Sequence, residues 1–136
     1  DWDRVMTINI RGSFLCYKYA AEQMVKQGRG GRIIGASSLA GKEGYPVLSA
    51  YCASKFAVKG LTQAAALELG RYGITVNAYA PGIIATPMSK RLCEVARHRL
   101  AGCPIKHIGQ PEDVASPVSY PASKEVHFIT GTSFSI

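Results

Sequence analysis

The apolar positions of the chain follow a helical repeat at first and then change to short continuous runs. Between residues 3 and 27 they recur every three or four residues, which predicts a helix with one apolar face. The residues on that face are Val5, Ile8, Gly12, Leu15 and Tyr19. Asp1 and Asp3 suit the N-terminus of this helix, where its dipole favours negative charge, and the glycine-rich segment 28–31 ends it.

The middle of the chain alternates between strand and helix patterns. Residues 32–36 are typical of a buried parallel strand, and a polar loop follows from Ser37 to about Val47. Residues 48–72 are apolar nearly all round, which predicts a helix buried on more than one side, such as between a sheet and a partner subunit. A β-branched strand is predicted at residues 74–79.

The last third of the chain carries weaker patterns. A loop runs from Pro81 to Pro87, and a polar helix is predicted over residues 88–101. Pro111 suits the first position of another helix, which begins near Glu112. A last strand is predicted from Phe128, Ile129, Thr130 and Gly131 onward. Alternation of strands and helices indicates an α/β fold with a parallel sheet, here an incomplete one of about three strands.

Two prolines inside the last predicted helix place that helix in doubt. Pro117 and Pro121 both follow Pro111 within one helical stretch. An interior proline costs about 3 kcal/mol or more and kinks the helix.

Composition limits the classes of protein that fit. The chain has 136 residues, of which 47% are hydrophobic and 18% are charged, as in one globular domain. No apolar run approaches the roughly 20 residues that a membrane-spanning helix needs. The N-terminus lacks an initiating Met and a signal peptide, so we expect a chain joined in mid-course. Four cysteines without CxxC pairing predict free thiols in a reducing cytoplasm, and the spacing of His98, Cys103 and His107 is typical of no zinc site.

The net charge of +7, from 16 Lys and Arg against 9 Asp and Glu, would attract the phosphates of a cofactor or of nucleic acid. The basic residues are scattered, and the one dense stretch, residues 90–99, has no interleaved aromatic side chains. A solvated basic surface is therefore favoured over a nucleic-acid interface.

Tyr51 and Lys55 are the first candidates for chemistry. They are four residues apart on the second predicted helix, so both side chains emerge on one face. A phenol has a pKa near 10, and an adjacent ammonium favours the phenolate and lowers that pKa toward the working range. The alternative is a core tyrosine beside a surface lysine. Ser38 lies where a strand ends, the edge at which open α/β sheets bind ligands, although a turn serine is an equally ordinary interpretation.

An ordered set of motifs resembles the short-chain dehydrogenase/reductase family over essentially the whole chain. The motifs are Gly31–Ile34, Ser37–Gly41, Tyr51–Ala57, Gly73–Asn77, Pro81-Gly82 with Thr86-Pro87, Gly109–Ala115 and Ile129–Gly131. The resemblance implies a Rossmann-type doubly wound parallel sheet of which residues 1–136 form the C-terminal catalytic part. It also implies an oxidoreductase that transfers hydride between NAD or NADP and a ketone or secondary alcohol.

The resemblance implies a role for each matched residue. Tyr51 is the general acid in reduction and the base in oxidation, and Lys55 lowers its pKa and hydrogen-bonds the nicotinamide ribose. Ser38 orients the substrate carbonyl. Asn9 matches the asparagine that holds a water for proton relay, whereas from the sequence alone it is only a polar break in an apolar face. The residues implied to bind the cofactor are Tyr51, Lys55, Pro81, Gly82, Ile84 and Thr86. No metal is implied.

Most of the dinucleotide-binding half has no counterpart in the sequence. A TGxxxGxG phosphate loop, an NNAG segment and the residue that chooses NAD from NADP are all missing. The glycines of residues 28–31 precede a strand, whereas a phosphate loop must follow one. We therefore expect the isolated chain to be inactive and the cofactor choice to stay open.

Similarity to particular members of the family suggests a substrate class, and the family as a whole suggests an oligomeric state. Residues 35–41 and 56–63 look most like diacetyl/acetoin (butanediol) reductases. A 3-oxoacyl-carrier-protein reductase is the alternative, since the basic stretch 90–99 could meet an acidic carrier. An inactive fragment or scaffold is the alternative from another class. The family also implies a homodimer or homotetramer formed through the two long helices.

Overall fold

A computed structural model describes residues 1–89, 105 and 107–136, and in these ranges three strands form one parallel sheet. The strands are β1 (Gly31–Ala36), β2 (Ile74–Ala80) and β3 (Ser133–Ser135), in the spatial order β1-β2-β3. Ile33 of β1 lies opposite Val76 of β2, and Tyr79 of β2 lies opposite Phe134 of β3. The predicted α/β fold with a parallel sheet is confirmed.

The described helices are α1 (Trp2–Met6), α2 (Gly12–Gln27), α3 (Ser49–Leu69) and α4 (Pro111–Ala122). A π-helical segment, Thr7–Arg11, joins α1 to α2; we call it the π segment and the three together the N-terminal helix. This confirms the helix predicted over residues 3–27. Gly28 ends it with a left-handed φ of 65°, which suits a residue without a Cβ atom. Helix α3 and the turn Gly70–Tyr72 confirm the helix predicted over 48–72.

The apolar core lies between one face of the sheet and the N-terminal helix with α3. Ile33, Ile74 and Val76 point from the sheet to Tyr17, which is 6% exposed. The apolar face predicted for the N-terminal helix is only partly the face that packs here: Val5 and Leu15 are half-buried, but Ile8 is 61% and Tyr19 is 60% exposed. The face that packs carries Tyr17, Ala20, Ala21 and Met24, so it uses small alanines that the predicted spacing left out.

Helix α4 covers the opposite face of the sheet. Arg32 neighbours Ile33 on β1, and successive side chains of a strand point to opposite faces. The Arg32 guanidinium donates to the carbonyl of Ser123, directly after α4, at 3.4 Å. Helices thus flank both faces of the sheet, as in a doubly wound fold.

The doubt that Pro117 and Pro121 cast on α4 is wrong, because both lie inside this helix. The N–H groups that they lack would have bonded the carbonyls of Asp113 and Pro117, two solvent-exposed residues whose carbonyls water can serve. The start of the helix is well formed. Pro111 occupies its first position, and the Asp113 carboxylate accepts from the Gln110 N–H at 2.7 Å.

The sequence predicted a last strand from Phe128 onward, but the strand begins at Ser133. Before it, a side chain adds to the backbone bond from the Gly131 N–H to the Val76 carbonyl: the amide of Asn77, which is fully buried, donates to the Ile129 carbonyl at 2.9 Å. The Asn77 carbonyl oxygen accepts from the Thr132 N–H at 3.2 Å. The predicted strand pattern therefore marks a segment that is clamped to β2 before it enters the sheet.

The polar helix predicted over 88–101 and the basic stretch 90–99 lie largely or wholly outside the described residues. Of this region the structure describes only the short turn Pro87–Ser89.

Candidate active site

Tyr51 and Lys55 lie together in the first turns of α3. The Lys55 Nζ atom is 5.6 Å from the centroid of the Tyr51 ring, which confirms that both side chains share one face of the helix. Helix α3 starts directly after the loop that follows β1, so its first turns lie next to the carboxyl end of that strand.

The Lys55 ammonium is fixed at this edge of the sheet. Its Nζ atom donates to the carbonyl of Ala36, the last residue of β1, at 2.9 Å. Burial removes water from the ammonium and lowers the pKa of Lys55 below its ordinary value of 10.5. Because an ammonium has three donors, two of its N–H bonds remain for other acceptors.

Ser37 and Ser38, the two residues after β1, make different hydrogen bonds. Ser37 is buried, and its hydroxyl donates to the Lys55 carbonyl at 3.0 Å, which ties the loop to α3. The Ser38 hydroxyl accepts from the Ala40 N–H at 3.2 Å and so caps the short turn Leu39–Gly41. That bond uses a lone pair of Ser38 and leaves its hydroxyl hydrogen free to donate.

Gly41 lets this turn approach α3 closely. A Cβ atom at residue 41 would lie 2.6 Å from the Lys55 carbonyl oxygen and against the Ser37 hydroxyl, far inside van der Waals contact. The loop after β1 can therefore pack on α3 only if residue 41 has no side chain.

We expect Gly41→Ala to lower the free energy of unfolding by about 1–3 kcal/mol, as overpacking does, and to move the turn Leu39–Gly41 away from α3. Chemical denaturation of the natural full-length protein measures the loss. Gly44→Ala is the matched control, since no atom lies within 4 Å of a Cβ built there. Equal stabilities of the two variants would contradict this account of the turn.

Asn9 also reaches α3, although it comes from the N-terminal helix. It lies in the π segment, and its amide donates to the Ser54 hydroxyl at 3.0 Å. Ser54 is fully buried and is the residue directly before Lys55. The structure thus brings Asn9 to the helix that carries the Tyr51–Lys55 pair.

The stretch expected to bind cofactor follows β2. The Pro81 carbonyl accepts from the Leu39 N–H at 3.0 Å, which places the start of this loop beside the Ser38 turn. The Gly82 N–H donates to the Ile136 carbonyl at 2.8 Å. Two further residues of the stretch have partners along the chain: Ile84 forms a parallel bridge with Gly109, and the Thr86 N–H donates to the Ser89 hydroxyl at 2.9 Å.

Two residues of this region were missed in the sequence, Ser37 as an anchor of the loop and Ser54 as the partner of Asn9. For Ser54 a signal existed: it shares the inward side of α3 with Val58 and Thr62, at spacings of four residues. A small polar residue on a buried helical face needs a hydrogen-bond partner. That requirement marks Ser54 but does not identify Asn9 as its partner.

The carboxyl edge of the parallel strands carries a phenol beside a partly desolvated ammonium and, in the loop after β1, the Ser38 hydroxyl. Such a set can exchange a proton with an oxygen atom and stabilise the charge that develops on it. Within the described ranges, no group of three or more His, Cys, Asp or Glu side chains is placed to hold a metal ion. No described helix is both long and apolar enough to cross a membrane.

The whole chain, residues 1–136, matches the family model described as enoyl-(acyl carrier protein) reductase. A short-chain dehydrogenase/reductase of Armillaria gallica is 51% identical over 146 residues, which cover 100% of this chain and 55% of that protein. The rat (Rattus norvegicus) (3R)-3-hydroxyacyl-CoA dehydrogenase is 45% identical, with 100% of this chain and 53% of that protein covered. The chain spans about half the length of these curated relatives.

Solved structures agree with these relatives. The acetoin dehydrogenase of Enterobacter cloacae superposes with a TM-score of 0.89 at 39% identity, covering 100% of this chain and 53% of that one. A 3-oxoacyl-[acyl-carrier protein] reductase of Brucella melitensis with bound NAD gives a TM-score of 0.89 at 38% identity, covering 99% of this chain and 50% of that one.

Proposed function

Because the chain belongs to the short-chain dehydrogenase/reductase family, we propose that it is the C-terminal catalytic part of a longer enzyme. This enzyme transfers hydride between NAD or NADP and a ketone or secondary alcohol. The observation that carries the proposal is the Tyr51–Lys55 pair, held against the end of β1 by the bond from Lys55 to the Ala36 carbonyl.

In reduction, the Tyr51 hydroxyl donates its proton to the substrate carbonyl oxygen as that oxygen becomes an alcohol. The Lys55 ammonium lies beside the ring and stabilises the phenolate that remains. The free hydroxyl hydrogen of Ser38 donates to the same substrate oxygen and orients it. In oxidation the Tyr51 phenolate takes the proton back from the alcohol.

The donor set at this edge fits a nicotinamide cofactor. Lys55 keeps two N–H donors beyond its bond to Ala36, which suits the hydroxyls of a ribose. The loop with Pro81, Gly82, Ile84 and Thr86 begins at the carboxyl end of β2, where open α/β sheets bind their ligands. A nicotinamide cofactor bound there supplies hydride to the carbonyl carbon or accepts it from the alcohol.

Two substrate classes have support. The similarity to an acetoin dehydrogenase favours a small ketone such as diacetyl or acetoin. The relatives that act on 3-hydroxyacyl-CoA and 3-oxoacyl-carrier-protein favour an acyl thioester instead. Turnover of both substrates by the natural full-length protein, with chromatography of the reduced products, separates them. A preference of kcat/KM above about tenfold, or 1.4 kcal/mol, assigns the class.

The second candidate is an inactive fragment or scaffold, because residues 1–136 contain no glycine-rich phosphate loop that follows a strand. The intact mass of the natural protein decides between the two. A mass near twice 14.6 kDa supports the catalytic part of a longer enzyme, as a two-halved dinucleotide fold requires. A mass near 14.6 kDa supports the fragment and contradicts autonomous catalysis.

A homodimer or homotetramer is supported by large apolar side chains left exposed on the helices. Phe14, Phe56 and Leu67 are 49%, 44% and 87% exposed. Burial of such residues against another subunit would explain why α3 is apolar nearly all round. The native mass of the full-length protein tests this assembly.

A cytoplasmic location remains a prediction, supported by the free thiols of Cys16 and Cys52 and testable by cell fractionation.

A further inference from the structure

Two side-chain hydrogen bonds join the N-terminal helix to α3, and they repeat each other. Asn9 pairs with Ser54 at 3.0 Å, and Tyr17 pairs with Thr62 at 2.9 Å. The partners are 45 residues apart in both pairs, so the two helices run parallel in constant register. Eight residues separate the bonds on each helix, which corresponds to about 12 Å along its axis.

The Ser54 and Thr62 hydroxyls on α3 each donate to a carbonyl of their own helix. Ser54 Oγ donates to the Tyr51 carbonyl at 2.7 Å, and Thr62 Oγ1 donates to the Val58 carbonyl at 2.8 Å. Because each hydroxyl donates its hydrogen within α3, it acts as the acceptor in the bond from the N-terminal helix, from Asn9 in one pair and from Tyr17 in the other. Ser54 and Thr62 are at most 1% exposed, so both bonds reach α3 at buried positions. Loss of either bond leaves its partner on the N-terminal helix, half-buried Asn9 or buried Tyr17, without this hydrogen bond.

Only the Ser54 bond ends in the catalytic group. It connects to the Tyr51 carbonyl and lies directly before Lys55, whereas the Thr62 bond lies two turns farther along α3. On the other side it holds the π segment, where the Gly12 N–H reaches back to the Thr7 carbonyl, five residues away. A widened turn of this kind is less regular than an α-helix, and an external bond can define its position.

We propose that Ser54 is a positioning residue: by bonding both the Asn9 amide and the Tyr51 carbonyl, it fixes the π segment against the start of α3. It sets the distance between Asn9 and the Tyr51–Lys55 pair without touching substrate or cofactor. This inference rests on the proposed hydride-transfer function. The Tyr17–Thr62 bond does the same structural work away from the site and serves as an internal control.

The test compares Ser54→Ala with Thr62→Val in the natural full-length protein. Both variants remove one buried hydroxyl bridge, and both are expected to lower the melting temperature. Ser54→Ala is expected to lower kcat about tenfold or more, as small misplacements of catalytic groups do, with KM for cofactor and substrate changed less than twofold. Thr62→Val is expected to keep kcat within twofold of the wild-type value.

A double-mutant comparison shows whether Ser54 acts through Asn9. Asn9→Ala is expected to lower kcat, and adding Ser54→Ala to it is expected to lower kcat by less than twofold more, because the bridge is already broken. Independent, multiplicative losses would overturn the proposal, as would equal kcat values for Ser54→Ala and Thr62→Val. If Ser54→Ala does not fold, Ser54→Cys against Thr62→Cys repeats the comparison, because a thiol keeps the volume but bonds weakly, and the same contrast is expected. A folded wild-type protein without hydride transfer contradicts the proposed function instead.

Discussion

Replacing Tyr51 with phenylalanine is expected to lower kcat by about 10²–10⁴-fold, the usual contribution of a positioned general acid. The substitution removes one oxygen atom and keeps the ring. The structure records no side-chain hydrogen bond of the Tyr51 hydroxyl to another residue in the described ranges, so the fold should keep its stability. The Lys55 ammonium keeps its bond to the Ala36 carbonyl, and cofactor affinity is therefore expected to change little.

Steady-state kinetics and cofactor titration of the natural full-length protein measure both expectations. Tyr72→Phe is the matched control, since Tyr72 lies in the turn after α3 and contacts Arg71 rather than Lys55. Activity of Tyr51→Phe within a few fold of the control would show that another group moves the proton.

Replacing Lys55 with methionine is expected to damage two properties together. One ammonium serves both the phenolate and the cofactor ribose in the proposed mechanism, so kcat is expected to fall by about 10²-fold or more while the Kd for cofactor rises. Methionine keeps the length and packing of the side chain. Lys59→Met, one turn farther along α3, controls for the loss of a positive charge.

The alkaline limb of the wild-type pH profile gives an independent check on Lys55. Burial lowers the pKa of this ammonium, so it loses its proton at a pH below the ordinary 10.5. Activity that needs the charged form is therefore expected to fall as pH rises through that lowered pKa, and this limb should be absent in the residual activity of Lys55→Met. An unchanged profile in Lys55→Met would contradict the role of the ammonium.

The elements that the sequence predicted well depend on local pattern. Tyr51 and Lys55 share a face because any helix brings residues four apart together, and β1 and β2 follow from short β-branched runs. The same local rule misplaced part of the packed face of the N-terminal helix. It followed the large apolar residues, whereas the face that packs on the core carries Tyr17, Ala20, Ala21 and Met24.

Long-range bonds account for most of what the sequence could not predict. Ser54 and Asn9 are 45 residues apart, and the local pattern around either residue does not predict their hydrogen bond. Asn77 has the pattern of an ordinary strand residue. Its buried amide nevertheless bonds the Ile129 carbonyl and the Thr132 N–H, and the last strand begins only at Ser133. In each case a polar side chain completes its hydrogen bonds through tertiary structure.

Isotope transfer tests whether residues 1–136 carry the proton-transfer groups of a nicotinamide-dependent oxidoreductase, as we propose. The most direct test gives the natural full-length protein NADH and NADPH deuterated at C4, with diacetyl, acetoin and a 3-oxoacyl thioester as acceptors. We expect deuterium on the carbinol carbon of at least one product with the wild-type protein, and loss of that signal with Tyr51→Phe. Deuterium transfer of equal rate in Tyr51→Phe, or none to any acceptor from either cofactor by the folded wild-type protein, would contradict the claim.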